Sequence, residues 1–352
     1  MDFMTLPPLT VLDIVGRDAA RVLNNLCTAA VLTLNEGEGC EAFITEVRGR
    51  TLGHLCIYRV EERMRLIGAA GQADTVAAHV DRYTIREDAT AQDHSAAWAG
   101  VLLDGDCLRN IDPAFPLDSA TDSSRLHWRR ISLPISDPAT DHSALASDDP
   151  AGADSVSPGG ETGTNLAGAG DIRAADGAMG LIAYRVPWAG GGRWLVAGPT
   201  GAIQTLASWL RNQGAGELGE ADFHCQRVLH RFPWFGSDLD DRNLPQEADR
   251  DAQAISFTKG CYLGQETVAR LDALGQVQKK LVQWRIAAEQ PPTPGAELSQ
   301  HGRVVGRLTS VVADPTGAGY VALGFARRSH FDAGAEAQLQ SEGGEVARAT
   351  VV

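Results

Sequence analysis

A lysine, a cysteine, an amide and a carboxylate stand close together in one short stretch, Lys259-Gly260-Cys261-Tyr262-Leu263-Gly264-Gln265-Glu266. In an extended segment, residues two apart point the same way. We therefore expect the Lys259 ammonium to lie beside the Cys261 sulfur and to favour its thiolate, the reactive and metal-binding form. Gly260 and Gly264 allow a positive φ or a close approach of the backbone to a ligand. A lone cysteine is also often a small buried hydrophobe, so spacing alone leaves both interpretations open.

The whole stretch closely resembles the K-G-C-Y-x-G-Q-E signature of the YgfZ family, and all eight positions match. That family is a branch of the superfamily named for the glycine-cleavage T-protein, a tetrahydrofolate-dependent aminomethyltransferase. The resemblance covers most of the chain but not its middle. Further segments that carry it are Val15–Ala19, Leu23–Thr28, Leu244–Ala248, Val268–Arg270, Gly302–Ser310 and Val321–Arg328.

The resemblance implies a folate-associated accessory protein that supports the assembly or repair of iron–sulfur proteins, including enzymes that modify tRNA. Its partners would be iron–sulfur client or assembly proteins. Because iron–sulfur clusters normally take four protein ligands, one cysteine would hold a cluster only briefly, together with a partner, a second copy or a small thiol, or would relay sulfur. The resemblance makes Cys261 the essential thiol and transient cluster ligand, and it makes Lys259 the activator of that thiol. Tyr262, Gln265 and Glu266 would form a hydrogen-bonding frame around it. Arg270 would pair with Glu266 if the segment is helical.

Two residues of one loop depart from the parent enzyme and argue against aminomethyltransferase activity. The stretch Arg48–His54 resembles the loop that carries a carboxylate pair in that enzyme, but Gly53 and His54 stand where acidic residues are expected. A carboxylate there would stabilise a cationic, amine-bearing intermediate, and a histidine cannot replace it. We interpret His54 as a solvated or hydrogen-bonded turn residue.

The resemblance implies folate binding, and the residues leave two alternatives open: folate is bound with a reduced set of contacts, or the ligand has been lost. In the segment Arg227–Arg231, Leu229 takes the place of the acidic residue that would answer the adjacent N–H donors of a pterin. Phe223 could stack on a flat ring or belong to the core, and Arg227 and Arg231 could meet a glutamate tail. We expect tetrahydrofolate or another folate as cofactor and no stably bound metal. The candidate cofactor-binding residues are Phe223, Arg227, Tyr262, Gln265, Glu266 and Arg270.

Composition restricts the class of protein further. The chain has 352 residues, 43% of them hydrophobic, and a formal charge of −14, which disfavours direct binding to nucleic acid or anionic lipid. Its six cysteines are scattered without a C-x-x-C pair, as in a protein of the reducing cytoplasm. The N-terminus lacks the features of a signal peptide, and there is no apolar run that would span a bilayer. We expect a cytoplasmic protein.

The pattern of apolar residues alternates between strands and helices and then changes to short strands alone, which predicts an α+β fold with a small C-terminal β-barrel. The resemblance implies that the α+β part is a T-protein-like core of sheet-and-helix lobes. Residues 136–178 are acidic and rich in Ser, Gly and Pro, and we interpret them as a disordered insertion. The core would comprise residues 1–135 and 179–280, and the barrel residues 281–352. Predicted helices lie near 19–26, 75–83 and 203–210, and predicted strands lie near 41–45, 64–68, 193–197, 281–286, 303–312, 319–325 and 337–340.

Other candidate sites are weaker. Asp238, Asp240 and Asp241 follow a turn-like Gly236-Ser237, and His224 and His230 match no strong metal-binding spacing, so we interpret all five as structural. Two alternative functions stay open: a tetrahydrofolate-dependent one-carbon enzyme and a non-catalytic scaffold of the same fold.

Overall fold

The computed structural model describes residues 1–115, 126–131, 180–190, 193–275, 277–340 and 346–352. Within these ranges, eleven strands form one large sheet, and six further strands close into a barrel at the C-terminal end. The predicted α+β fold with a C-terminal β-barrel is confirmed. The predicted insertion, residues 136–178, lies outside the described residues, and the domain limits stay a prediction. None of the described helices is long and apolar enough to cross a membrane.

The elements follow in chain order. The sheet contains β1 (Asp2–Thr5), β2 (Leu9–Val15), β3 (Glu38–Thr45), β4 (Thr51–Val60), β5 (Arg63–Ala69), β6 (Thr90–Asp93), β7 (Trp98–Leu103), β8 (Leu126–Arg130), β9 (Ile182–Arg185), β10 (Trp194–Pro199) and β11 (Gly216–Leu218). The barrel contains β12 (Lys279–Ala287), β13 (Glu297–Gln300), β14 (Arg303–Ala313), β15 (Tyr320–Arg327), β16 (Glu336–Gln340) and β17 (Val346–Val351). The helices are α1 (Ala19–Leu26), α2 (Ala73–Tyr83), α3 (Gly105–Ile111), α4 (Thr200–Asn212), α5 (Glu220–Leu229), α6 (Asp251–Ala254) and α7 (Gln265–Leu274).

Helix α1 forms where its apolar spacing predicts it. Val22, Leu23 and Leu26 recur at helical intervals and are buried against the sheet. The chain then becomes extended at Cys27, whose backbone bridges Ile44 of β3. The last carbonyls of α1 have no partner within the helix and therefore need donors from elsewhere.

The large sheet joins two lobes. Its strand order is β11-β1-β7-β10-β9-β8-β3-β4-β5-β2-β6, and the lobes meet where β8 pairs with β3. A buried ion pair reinforces this junction: Arg65 on β5 bonds Asp13 on β2 at 2.6 and 2.7 Å and donates to the Tyr184 hydroxyl on β9 at 2.9 Å. Burial alone would raise the pKa of Asp13, but the hydrogen bonds and charges of Arg65 and His94 outweigh it and hold that pKa well below its usual range.

The barrel closes in the order β12-β15-β14-β13-β16-β17, with β17 returning to β12. Trp284 on β12 fills its centre and is fully buried. Four of its strands lie close to the predicted ones, whereas β13 and β17 were not predicted. Both are short, and their alternating small and polar residues give a weak signal.

Candidate functional site

Residues 255–264, which include the first six residues of the motif, form a loop between α6 and α7. The N-terminal lobe holds this loop along its length. The Ser256 N–H donates to the Thr28 carbonyl at 2.9 Å, and the Leu263 N–H donates to the Asn25 carbonyl at 2.9 Å. The Thr45 hydroxyl donates to the Leu263 carbonyl at 2.7 Å. The loop therefore runs beside the end of α1 and across the end of β3.

Lys259 is the central anchor of this loop. Its Nζ donates to three main-chain carbonyls, those of Asn24 at 2.6 Å, Cys27 at 2.8 Å and Ala29 at 2.6 Å. Burial lowers the pKa of this ammonium. The segment is not an extended strand, and main-chain carbonyls at and just after the end of α1 accept all three N–H groups of Lys259, so the extended geometry from which we expected this ammonium beside the Cys261 sulfur is absent. The activating role of Lys259 stays a prediction, and its contacts give it a positioning role.

Cys261 is exposed to solvent. It is the only exposed cysteine of the six, all of which the structure describes. The others are buried or half-buried; burial raises the pKa of the Cys27 thiol and, to about 12, that of Cys107. The loop thus presents one accessible sulfur on a backbone that is fixed on both sides.

Tyr262 fixes the loop from the inside. Its ring is buried in an apolar cluster with Phe43, Ala254 and Val268. The Lys259 Nζ lies 5.1 Å from the ring centroid, a favourable distance for a cation–π contact. Burial raises the pKa of Tyr262 to about 12, so its hydroxyl stays protonated at neutral pH. We expect Tyr262 to order the loop.

The two glycines of the motif differ in their surroundings. Gly264 has φ +81°, and a Cβ there would lie 2.5 Å from the Gly49 Cα and from the Glu46 carbonyl oxygen. Gly49, with φ +80°, sits in the turn between β3 and β4 and packs on α7 in the same way. Only a glycine fits such a contact at a positive φ. Gly260 has open space where its Cβ would be.

The last motif residues lie on α7. The segment is helical, as the predicted Glu266–Arg270 pair requires, but no ion pair joins these two exposed side chains in the described structure. Gln265 is half-buried at the first position of the helix. The roles of Gln265, Glu266 and Arg270 in cofactor binding stay predictions.

A buried ionic network lies behind the loop. Glu41 on β3 is bound through both carboxylate oxygens by Arg250, and it also bonds His54 Nε2 at 2.8 Å. Burial opposes ionisation of Glu41, but the Arg250 charge and the hydrogen bonds outweigh it and lower its pKa to about 2. The Glu41 carboxylate is therefore charged at neutral pH and has no oxygen free of protein contacts.

The interpretation of His54 as a turn residue was wrong. His54 lies within β4, is buried, and stacks between Phe43 and Phe232 with centroid distances of 4.5 and 5.4 Å. Sequence reasoning missed its partners Glu41 and Arg250. The available signal was the lone carboxylate of Glu41 between Cys40 and the apolar run Ala42-Phe43-Ile44, since a carboxylate in a buried strand requires a cation beside it.

Arg227 connects the core to the barrel. Its Nη1 lies 2.6 Å from the buried Asp238 carboxylate, its Nη2 donates to Ser310 on β14 at 2.8 Å, and its Nε donates to His224 at 2.7 Å. Asp238 also accepts the Ser310 hydroxyl at 2.7 Å. The structural interpretation of Asp238 and His224 is therefore supported, and no metal-binding group of three or more ligands occurs in the described residues.

Phe223 belongs to the core. It is fully buried and contacts Trp188 and Trp234 edge-on, with centroid distances of 6.4 and 5.0 Å. Arg227 and Phe223 are thus engaged by the protein itself, and their roles in cofactor binding stay predictions.

Comparisons with known proteins place the chain among named relatives. The human mitochondrial iron–sulfur cluster assembly factor IBA57 is 38% identical over 100 residues, which are 26% of this chain and 28% of that protein. The tRNA-modifying protein YgfZ of Colwellia psychrerythraea is 44% identical over 65 residues, 18% of this chain and 20% of that one. The resemblance to the YgfZ family is confirmed. The chain spans less than a third of the length of these relatives, and no family model matches it.

The fold matches that of a solved aminomethyltransferase T. The glycine cleavage system aminomethyltransferase T from Bartonella henselae matches with a TM-score of 0.75 and 15% identity, over 99% of this chain and 84% of that one. This match supports the α+β core with its C-terminal barrel.

The cavity beside His54 is too small to hold the folate that the YgfZ resemblance implies. It is lined by His54, Trp188, Phe232, Trp234 and neighbouring residues, and about 10 Å³ of it is accessible to water. That volume holds one water molecule at most, whereas small-molecule sites span about 300–1,000 Å³. No carboxylate lines it, and Leu229, at the expected acidic position, packs towards the barrel.

We expect the exchange Gly264→Ala to destabilise the protein by about 2 kcal/mol or more, because it forces a side chain into a left-handed conformation and against Gly49. Gly260→Ala is the matched control and should stay within about 0.5 kcal/mol of the wild type. Urea unfolding of both variants measures the difference. Equal stabilities would show that the close contact between Gly264 and the 46–50 turn does not hold.

We expect folates to leave the melting temperature of this protein unchanged. A ligand at about 100 times its Kd would stabilise the fold by about 2.7 kcal/mol, a shift that is readily detected. The measurement is a thermal melt with increasing 5-formyltetrahydrofolate. A rise in melting temperature that saturates with folate concentration would show that the cavity opens for a pterin.

Proposed function

We propose that this chain is a YgfZ-like accessory protein that supports the assembly or repair of iron–sulfur clusters and acts through the thiol of Cys261. The observation that carries the proposal is the exposure of Cys261, alone among six cysteines, on a loop fixed by Lys259 and Tyr262. Relatives named for iron–sulfur cluster assembly and for tRNA modification support the process. Enzymes that carry clusters and modify tRNA are accordingly among the proposed clients.

The cluster is cargo in this proposal. One exposed thiolate supplies one ligand, and the described residues contain no further group that would complete a cluster site. The remaining ligands would come from a partner protein, from a second copy of this chain or from a small thiol, and the cluster would be held briefly. Such a thiol would bind an iron atom, or carry sulfur, while the cluster passes between partner and client.

A folate has no assigned step in this function. Tetrahydrofolate or another folate was predicted from the resemblance, but the cavity is filled by aromatic side chains and Arg227 is bound to Asp238. Aminomethyl transfer has no support either, because it would need a free carboxylate beside His54. The carboxylate that contacts His54 is that of Glu41, and its two oxygens already bond Arg250 and His54. The proposed function therefore rests on the thiol.

We expect Cys261→Ala to abolish rescue of a bacterial strain that lacks its own YgfZ-family protein, while the wild type restores the activity of an iron–sulfur enzyme. Because Cys261 is exposed, the exchange should leave folding unchanged. Cys225→Ala, which removes a half-buried thiol from α5, is the control and should rescue fully. All variants are compared at matched soluble levels.

Equal rescue by Cys261→Ala and the wild type would refute the thiol mechanism and favour a non-catalytic scaffold. Lack of rescue by the wild type would count against the cluster-related process itself.

A further inference from the structure

The junction between α6 and α7 contains a carboxyl oxygen that meets no donor among the described residues. Asp251, the first residue of α6, is half-buried, and its Oδ1 is shielded from solvent without a hydrogen-bond partner. Ala254 of α6 and Val268 of α7 belong to one buried apolar cluster, so the two helices pack together here. Buried polar atoms in folded proteins almost always have a partner, and an exception requires a physical reason.

A second buried oxygen at this junction also lacks a donor. Gln246 is only 5% exposed; its Nε2 donates to the Val268 carbonyl at 2.7 Å, whereas its Oε1 has no partner within the described ranges of the chain. In an α-helix that carbonyl also accepts from the residue four positions later, which is Asp272. The Gln246 amide therefore lies against the turn of α7 that ends at Asp272. Two acceptors without donors favour a positive charge or a proton at this place.

Charged groups from three other positions act on Asp251. Asp249 precedes α6, Asp272 lies on α7, and Lys280 lies on β12. The Lys280 Nζ is 3.1 Å from the Asp249 carboxylate and is thus already paired, and Arg250 is bound to a carboxylate of β3. Burial, followed by the charges of Asp249 and Asp272, raises the pKa of Asp251 to about 6, and Lys280 only partly opposes this shift.

A proton suits this junction better than a metal ion. The described residues contain no group of three or more His, Cys, Asp or Glu side chains that could hold a metal ion, so these carboxylates are not arranged as ligands. The Lys280 ammonium would also repel a divalent cation. A proton needs one carboxyl group only, and a protonated acid gains an O–H donor for a neighbouring acceptor. Protonation of Asp251 therefore removes a partly buried charge and supplies a donor in one step.

We propose that Asp251 is a pH-sensitive switch at the entry to the motif loop (residues 255–264), and that its protonated form holds α6 against α7 more firmly than its ionised form does. The ionised form adds a third negative charge to those of Asp249 and Asp272. The effect reaches the motif loop, since Ala254 at the end of α6 is followed directly by the loop and its carbonyl accepts the Thr28 hydroxyl at 2.6 Å. This inference goes beyond the proposed function and holds whatever chemistry the motif thiol performs.

Urea unfolding of the wild type and of Asp251→Asn, whose amide mimics the protonated acid, tests the switch. The pKa of Asp251 in the folded protein lies above the value of about 3.9 in an unfolded chain, so its stabilising effect is complete below about pH 4 and is lost as the pH rises through about 6. We therefore expect the unfolding equilibrium constant of the wild type, relative to that of Asp251→Asn, to rise about tenfold between pH 5 and pH 7.5. Asp241→Asn, at an exposed position, is the matched control and should follow the wild type.

Hydrogen–deuterium exchange tests whether the titration reaches α6. The amides of Ala254 and Ile255 bond the carbonyls of Arg250 and Asp251, and we expect their protection factors to fall about tenfold over the same pH interval in the wild type but not in Asp251→Asn. Asp272→Asn should weaken both effects, because it removes one of the charges that act on Asp251. The same pH dependence of unfolding in the wild type and Asp251→Asn, or unchanged protection of both amides, would overturn the proposal. A wild-type stability that depends on added Ca²⁺ at constant pH would overturn it in favour of a metal site.

Discussion

The contact on which the rest of the site depends is the bond of the Lys259 ammonium to three carbonyls at and just after the end of α1. This contact satisfies two sets of polar groups, the carbonyls at the helix end and the ammonium itself. The last carbonyls of a helix lack intrahelical donors, and a partly buried ammonium needs three acceptors. Because these requirements match, the loop is fixed in one position relative to the N-terminal lobe. The charge-assisted bonds are also stronger than neutral ones, which suits an anchor.

Around this anchor, neighbouring residues of the loop take opposite roles. Tyr262 and Gly264 face inwards, one into an apolar cluster and one against the Gly49 turn, while Cys261 faces solvent. Behind them the Glu41–Arg250 pair ties β3 to α6, the short helix just before the loop. A buried pair of this kind is destabilising once one partner is lost, so it holds the two elements in a fixed relation. The result is a rigid support beneath a single accessible thiol.

Much of the fold could be predicted from periodicity and from the motif. The apolar spacing of α1, α2 and α4 and the alternation in β12, β14 and β15 have a direct physical cause in burial on one face. The direction of Lys259 could not be predicted, because it depends on carbonyls more than 200 residues away in the sequence. The same holds for His54, whose burial follows from Phe232 and Glu41, and for Arg227, whose partner Ser310 belongs to the barrel. Long-range polar contacts leave little signal in local sequence.

The most direct test of this account is hydrogen–deuterium exchange across residues 255–264 in Lys259→Met, compared with the wild type and with Arg303→Met as control. If Lys259 fixes the loop, the amides of Ser256 and Leu263, which bond Thr28 and Asn25, should exchange about tenfold faster or more in Lys259→Met, while the barrel keeps its protection. Unchanged protection of these two amides in a folded Lys259→Met variant would contradict the account, because the loop would then hold its position without the anchor.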